Sequence, residues 1–481
     1  MPELQETIDV SALTTRIARL IEAGRTGAAR PLLLAARRIA PPSPLFPLLA
    51  ARVAMREGRL DLAQTELDVA IAETPDHAGL RKCRAELRQQ TGDKVGAAAD
   101  AAEAMILDRH DPSAKALLGV LLLELGRAVD AIACLGEAVA ADPGHPAYRE
   151  GLAAAQQAAG DADAAMATLA AGISDAPGSA ALRNAATLLA VKQRNFNAAV
   201  RLADKACSDG IADAFLFGLK GHALSSLGRD AEAADAYAEA LKLGPDDPYV
   251  RHMVAASGQV SPGRRAPIDY VRTVFDGYAD SFDAHLISLG YRVPGLIHAA
   301  LLRHPAVRSG ERLGPALDLG CGTGLAAVAL SDLSIGPFVG VDLSSRMLAR
   351  AAATRLYNEL READIVQMLS EGTGAWPLIL AADVLCYFGD LQEIFAHVSQ
   401  RLNAKGWFVC SVEELLPDMD GVVHGNGEWA LHRLGRYVHG LDYVTGVARQ
   451  MGLTVRTLER QKLRYEADAP VPGIFVVLER A

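Results

Sequence analysis

The chain has 481 residues, half of them apolar and only 5% aromatic, so it is long enough for two to four domains with cores built from alanine and leucine. Its net charge of −10 argues against a nucleic-acid groove as the main feature. The longest apolar run, 116–123, is far shorter than the ~20 residues that span a bilayer, and no secretory signal precedes it. We therefore expect a cytoplasmic protein without membrane attachment. Six scattered cysteines favour reduced thiols, and no metal site is predicted.

The first half repeats with a period of 34 residues. Glycine recurs in six of seven registers, Arg194 stands in the other, and an alanine follows five residues later in all seven. The glycines are Gly24, Gly58, Gly92, Gly126, Gly160 and Gly228. A glycine suits the end of the first helix of a pair, and small residues let two helices approach closely. Residues 10–247 thus resemble seven tetratricopeptide (TPR) units forming an α-solenoid, whose groove is expected to bind a protein or peptide.

The residues expected to face this groove are chemically mixed. They include Lys82, Glu86, Gln89, Val120, Leu123, Glu150, Gln157, Phe215 and His222. They lack the recurring Lys/Asn/Arg set with which TPR domains clamp a C-terminal carboxylate. Packing against neighbouring helices is an equally good interpretation of the apolar ones.

A turn-rich segment, 248–267, is predicted to link this solenoid to a second domain, 268–481. That domain opens with a helical, aromatic-rich stretch, 268–302. Apolar runs then alternate with helical patterns, which indicates a doubly wound parallel sheet of the Rossmann-like α/β class. We predict strands at 316–320, 338–342, 363–367, 378–383, 407–412, 453–459 and 473–479, the last two as an antiparallel pair.

A glycine-rich turn follows the first predicted strand. Asp318 precedes Gly320, Gly322 and Gly324, and the next strand ends on Asp342, where an acid can accept hydrogen bonds from ribose hydroxyls. The third glycine comes one residue too early for a dinucleotide site. The stretch resembles motif I of class I S-adenosyl-L-methionine (SAM) methyltransferases, which implies SAM as the cofactor and adds Cys321 and Leu343 to its contacts.

Further motifs extend this resemblance along the chain. Phe275-Asp-x-Tyr-Ala-x-x-Phe-Asp followed by Tyr291-Arg-x-Pro is similar to the helices that open ubiquinone- and biotin-pathway methyltransferases. The whole chain resembles the bacterial family of TPR-repeat-containing methyltransferases. The resemblance implies cofactor contacts from Tyr278 and Arg292 at the methionine end, and from Asp364 and Ile365 at adenine. Within 381–388, which resembles motif IV, it implies that Asp383 accepts from the SAM amino group.

The catalytic residues are less well defined by the sequence. Methyl transfer requires alignment foremost, and a general base only if the nucleophile arrives protonated. Tyr387 is expected to face the substrate, while Tyr437 and His439 lie in a block, 435–443, similar to one of this family. No nucleic-acid partner is expected, and the sequence specifies neither the methyl acceptor nor the oligomeric state.

Three functions remain open at this point. The first is a methyltransferase whose TPR array recruits a protein or peptide. The second is a small-molecule methyltransferase that uses the array for assembly. The third is a non-catalytic SAM-binding interaction protein.

Overall fold

A computed structural model describes residues 10–279, 281–417, 419, 422–425, 427–466 and 469–481. The chain divides into two compact units, Met1–Ala212 and Asp213–Ala481. Among the described helices, none combines the length and the apolar character that crossing a membrane requires.

The first unit is built from antiparallel helix pairs, six of them within the described residues 10–212. Their helices are α1 Val10–Glu22 and α2 Thr26–Ile39, α3 Leu45–Arg56 and α4 Leu60–Glu73, α5 Ala78–Thr91 and α6 Lys94–Leu107, α7 Pro112–Glu124 and α8 Ala128–Ala141, α9 Pro146–Ala158 and α10 Ala162–Asp175, and α11 Ala180–Lys192 and α12 Phe196–Ser208. This confirms the predicted all-α, TPR-like repeats.

The 34-residue pattern has a direct structural cause. Each repeat glycine has a positive φ between 71° and 87°, the left-handed conformation that reverses the chain after the first helix. Where the glycine is lost, Arg194 takes the same conformation with φ of 58°. The alanines five residues further on are almost completely buried, Ala29 and Ala131 at 0% exposure for example, because the paired helices meet at their methyl groups.

The second unit begins with a seventh helix pair, α13 Ala214–Ser226 and α14 Asp230–Leu243, and continues into α15 Pro248–Ala256. The segment predicted as a linker, 248–267, therefore starts as a helix. Its remainder runs along the loop after the fourth strand. Ala266 N–H donates to Tyr387 O at 2.8 Å, Gly389 N–H donates to Arg264 O at 2.8 Å, and the Tyr437 hydroxyl donates to Gly263 O at 2.8 Å.

The sheet of this unit has the doubly wound order that the sequence predicts. Its strands are β1 Ala316–Leu319, β2 Phe338–Asp342, β3 Tyr357–Glu362, β4 Trp376–Ala381, β5 Leu402–Glu414, β9 Leu453–Glu466 and β10 Ala469–Arg480, with β6 Val422–Gly425, β7 Trp429–His432 and β8 Tyr437–His439 as a smaller extension. Parallel neighbours follow the order β3-β2-β1-β4-β5. The antiparallel β10 pairs with β5 and β9, as predicted for the last two strands.

The helices of this unit cover both faces of the sheet's buried strands, which explains their continuous apolar sequences. They are α16 Ile268–Tyr278, α17 Phe282–Ser288, α18 Val293–Leu301, α19 Pro305–Ser309, α20 Leu325–Ala329, α21 Ser345–Ala353, α22 Ile365–Glu371, α23 Gln392–Arg401 and α24 Leu441–Gln450. The core includes Leu317, Ile379 and Phe408, all at 0% exposure.

One strand prediction is wrong. The third strand occupies Tyr357–Glu362, and the predicted 363–367 forms a turn and the start of α22. This edge strand is largely exposed and polar, so it has no apolar run to reveal it.

Replacing Arg194 with glycine should stabilise the first unit. A left-handed L-residue costs about 1–2 kcal/mol, and glycine avoids this at an entropic cost of about 0.5–1 kcal/mol. We expect a net gain of about 0.5–1 kcal/mol, measured by urea unfolding of the full chain. Gly160→Ala is the matched reverse change, because a Cβ there meets no atom within 4 Å, and it should lower the midpoint. Unmoved midpoints in both variants would contradict this explanation of the repeat.

Candidate functional site

The glycine turn after β1 packs so closely that side chains are excluded. Gly320, Gly322 and Gly324 all have positive φ, of 65°, 53° and 95°. A Cβ at Gly320 would lie 2.5 Å from Val384 Cγ2, and one at Gly324 would lie 3.0 Å from the Tyr357 ring. The turn therefore brings bare backbone to the carboxyl edge of the parallel strands, where open α/β sheets bind ligands.

Asp342 fixes this turn to the end of β2. Its Oδ2 accepts from Gly322 N–H and its Oδ1 from Ser344 N–H, both at 2.9 Å. Burial raises the pKa of Asp342, while these backbone bonds favour the charged form. Cys321 is buried beside the turn, and Leu343 follows the acid. The structure thus brings together the predicted residues of the first two strands.

Asp318 is fully buried beneath the turn with one oxygen satisfied. The Tyr357 hydroxyl of β3 donates to its Oδ2 at 2.6 Å, whereas its Oδ1 has no hydrogen-bond partner among the described residues. Burial raises the pKa of Asp318 to about 7. This buried oxygen has lost its hydrogen bonds to water without gaining a donor from the described residues. It is therefore suited to a cationic ligand that can donate a hydrogen bond.

Two aromatic helices, α16 and α17, are bonded onto the same edge. Ser344 Oγ donates to Asp276 Oδ1 and Thr323 Oγ1 to Asp283 Oδ1, both at 2.5 Å. Arg272 Nε also donates to Leu343 O at 3.3 Å. The helices therefore lie directly over the turn and the β2 acid.

The two residues predicted to contact the methionine end of SAM, Tyr278 and Arg292, are exposed, unlike the strand-end acids. Tyr278 is 45% exposed, with its ring 5.7 Å from that of His285. Arg292 is exposed just before α18, and its backbone N–H donates to Leu463 O. The half-buried residue of this turn is Tyr291. Burial raises its pKa, and the nearby Asp383 and Asp318 reinforce the shift. The Tyr291 side chain packs against the apolar cluster that includes Val293 and Leu463, whereas Arg292 lies on the exposed side of this turn.

Asp383, at the carboxyl end of β4, belongs to a charged cluster. Its Oδ2 accepts from Arg464 Nη1 at 2.7 Å, and Arg464 also pairs with Glu413 of β5. Arg436 Nε lies 2.8 Å from Glu413 and pairs in addition with Glu466. Asp383 Oδ1 has no hydrogen-bond partner among the described residues. Asp318 and Asp383 thus each keep one buried oxygen without a hydrogen-bond partner among the described residues.

The pKa values of the two acids in this cluster are shifted in opposite directions. Burial raises the pKa of Asp383 despite Arg464. Burial also opposes ionisation of Glu413, but Arg436 and Arg464 overcome it and lower its pKa to about 2. Asp383, Cys386 and Glu413 lie close enough for a metal ion, yet Arg464 already pairs with both carboxylates. Burial raises the Cys386 pKa well above its usual value, so its thiol is a poor ligand.

Asp364 caps α22 and holds the linker. It accepts from Gln367 N–H at 3.1 Å, and Arg265 Nη1 contacts its two oxygens at 3.1 and 3.0 Å. Ile365, the first residue of this helix, is buried. Asp364 and Ile365 lie just beyond the end of β3, at the carboxyl edge of the sheet and next to β2, and their contact with adenine stays a prediction.

Two of the predicted catalytic residues serve the fold. The buried Tyr437 hydroxyl is occupied by Gly263 O. His439 is fully buried, with Nε2 bonded to Phe388 O at 2.7 Å, and burial lowers its pKa to about 4. Both side chains therefore hold backbone segments around the site, while His439 Nδ1 has no hydrogen-bond partner among the described residues. Their catalytic role stays a prediction. Tyr387 is half-buried, edge-on to the Phe275 ring at 5.5 Å, beside the charged cluster.

Comparison with known proteins agrees with this architecture. A methyltransferase domain family matches residues 317–408, and tetratricopeptide repeat families match 20–87, 122–189 and 216–247. No curated protein matches the chain.

Several solved structures are similar over parts of the chain. A tetratricopeptide repeat protein from Parabacteroides merdae is 19% identical over 52% of this chain and 98% of its own, with a TM-score of 0.40. The N-methyltransferase NodS from Bradyrhizobium japonicum, in complex with S-adenosyl-L-homocysteine, is 19% identical over 38% of this chain and 85% of its own, with a TM-score of 0.29. A SAM-dependent methyltransferase from Mesorhizobium loti is 22% identical over 38% of this chain and 100% of its own, with a TM-score of 0.27. The family matches and the chain's own sheet order thus support tetratricopeptide repeats followed by a methyltransferase domain with a doubly wound sheet.

Proposed function

We propose that the second unit binds SAM and transfers its methyl group. The main support is a pair of buried carboxylate oxygens on adjacent strand ends, Asp318 Oδ1 and Asp383 Oδ1, which have no hydrogen-bond partner among the described residues. With Asp342 they make the turn's surroundings acidic. An acidic site disfavours the pyrophosphate of a dinucleotide and favours SAM, which carries an ammonium and a sulfonium.

In this proposal the ligand follows the edge of the sheet. Asp342 accepts from the ribose hydroxyls, residues Asp364 and Ile365 flank the adenine, and Asp318 and Asp383 receive the ammonium. The acceptor's lone pair forms the new bond to the methyl carbon while the C–S pair stays on sulfur, giving S-adenosylhomocysteine. The acceptor's proton, if it has one, leaves to solvent or to a base. This chain's residues contribute by holding the donor and acceptor in line.

The helical repeats are proposed to recruit a protein or peptide acceptor. Within the first unit, the first helices of the initial three pairs enclose a cleft of about 400 Å³. Its lining combines apolar side chains with charges of both signs, including Leu49, Met55, Arg56 and Glu86. Lys82 is bonded to Asp111 at 2.6 Å, so that predicted groove residue instead joins neighbouring repeats. A mixed cleft of this kind fits an extended peptide of mixed sequence.

Asp383→Asn should weaken binding of SAM and S-adenosylhomocysteine but not of methylthioadenosine, which lacks the ammonium. Asparagine tolerates the φ of 55° and can still accept from Arg464, so the loss of charge is isolated. We expect a loss of about tenfold or more for the first two ligands, by calorimetry. Glu359→Gln, in an exposed pair with Arg361 on β3, is the control. Equal losses for all three ligands would contradict the ammonium assignment.

The affinity for S-adenosylhomocysteine should rise with pH through neutrality. Only ionised Asp318 attracts the ammonium, and its pKa near 7 means that binding below this pH must displace a proton. Affinity should therefore fall by up to about tenfold per pH unit below 7. Asp318→Asn should bind more weakly at pH 8 and show a flatter profile, while retaining an oxygen for the Tyr357 hydroxyl. An unchanged pH profile in this variant would assign the titration to another group.

Tritiated SAM distinguishes the acceptor classes. Full-length protein incubated with labelled SAM and a dialysed bacterial lysate should label macromolecules of defined size. The same assay is then run with undialysed lysate, which still contains small metabolites. Label found only in the small-molecule fraction would reject recruitment of a protein or peptide acceptor and favour the small-molecule alternative. Binding of SAM without any labelled product would favour the non-catalytic alternative. Heat-denatured protein gives the background.

A further inference from the structure

The turn between β7 and β8, residues 432–436, is held by the last helices of the repeat array. Arg433 Nη1 pairs with Asp230 of α14 at 3.0 Å, and Ser225 Oγ of α13 lies 3.5 Å from Arg433 O. His252 of α15 contacts Gly435 O through Nε2 at 2.9 Å. All of these elements belong to the second compact unit. The turn is therefore bonded at two residues, Arg433 and Gly435, to helices outside the sheet.

The fit at Gly435 is close enough to fix the turn's position. This residue has a φ of 79°, and a Cβ there would lie 2.8 Å from Tyr270 Oη and 3.1 Å from Met253 Sδ. His252 is buried, with its ring 4.3 Å from that of Tyr270. A side chain at residue 435 would therefore collide with residues of α15 and α16, against which this turn packs.

The next residue of the turn, Arg436, belongs to the charged cluster. It pairs with Glu413 at the end of β5 and with Glu466 at the end of β9. Arg464 pairs with Glu413 as well and extends to Asp383 at the end of β4. A continuous series of charge pairs thus runs from the turn to the acid that faces the proposed methyl donor.

We propose that the seventh helix pair and α15 are positioning elements of the methyltransferase site, acting through the 432–436 turn to place Arg436. The inference rests on the proposed function, because that function makes the edge of β4 and β5 the place where donor and acceptor meet. Without Arg436, the buried Glu413 keeps Arg464 as its one ion-pair partner within the described part of the chain. Arg464 is then drawn away from Asp383, which loosens the acid beside the reacting groups.

Hydrogen exchange of the full chain tests the first step. In Asp230→Ala/His252→Ala, amides of 432–440 should exchange about tenfold faster, and phenylglyoxal should modify Arg436 faster. Peptides of β1 and β2 should keep their protection. Glu232→Ala is the matched control, because it removes an exposed pair with Arg229 on the same helix, α14. The single variant His252→Gln keeps Asp230, and its amide can donate to Gly435 O. Its amides at 432–440 should therefore exchange as slowly as those of the unchanged protein.

Two results would overturn the proposal. One is exchange at 432–440 equal to that of Glu232→Ala. The other is acceleration spread evenly through β1 and β2, which would mean that the helices stabilise the whole unit without positioning Arg436. Neither outcome depends on SAM binding, so this test is separate from that of the proposed function.

A double-mutant cycle tests the second step. The rate of label transfer from SAM to dialysed lysate is measured for Asp230→Ala/His252→Ala, for Arg436→Ala and for the combination. If the helices act through Arg436, the combination should be no slower than Arg436→Ala alone. Additive losses would overturn the proposal. S-adenosylhomocysteine affinity, measured in parallel, shows whether a loss of rate reflects failure of the cofactor site instead.

Discussion

The methyltransferase unit places several carboxylates at one edge of its sheet, and most of their oxygens are compensated by donors, because leaving water is costly for a charge. Asp342 accepts two backbone N–H groups, Asp364 has an arginine and a helix N-terminus, and Glu413 has two arginines. Asp318 has one tyrosine hydroxyl. The compensating groups outside the first two strands and their turns come from the linker, β3, β9 and the 432–436 turn. The contacts that satisfy these acids thus help to position the segments that surround the central strands.

The repeat array was predictable because its constraints are local. A left-handed residue ends each first helix and a buried alanine follows at a fixed distance, so both signals recur within 34 residues. Arg194 shows that the backbone conformation is retained where the glycine is lost. The third strand could not be found in this way, since Tyr357–Glu362 is an exposed edge strand without an apolar run.

In the site, sequence motifs identified the residues whose positions depend on a single strand and the turn that follows it. Asp318, the three glycines and Asp342 meet as expected, because parallel neighbours align their carboxyl ends. Residues brought in by distant segments were missed. Arg464 and Arg436 lie about 80 and 50 residues after Asp383, and no spacing rule connects them. The catalytic role of Tyr437 and His439 stays a prediction, because polar aromatic residues give the same sequence signal whether they bind a ligand or a backbone carbonyl.

The path of the linker has a consequence for how this chain could be rearranged during evolution. Its residues 263–266 are hydrogen-bonded to the loop after β4 and to Tyr437. A gene fusion joined at 267 would deliver a methyltransferase lacking a strip of backbone that its own loop requires. Exchange of the repeat array between relatives would be best tolerated at a junction upstream of residue 213, where the compact unit begins. The last repeat would then be inherited with the enzyme, while the preceding ones could vary in number and sequence.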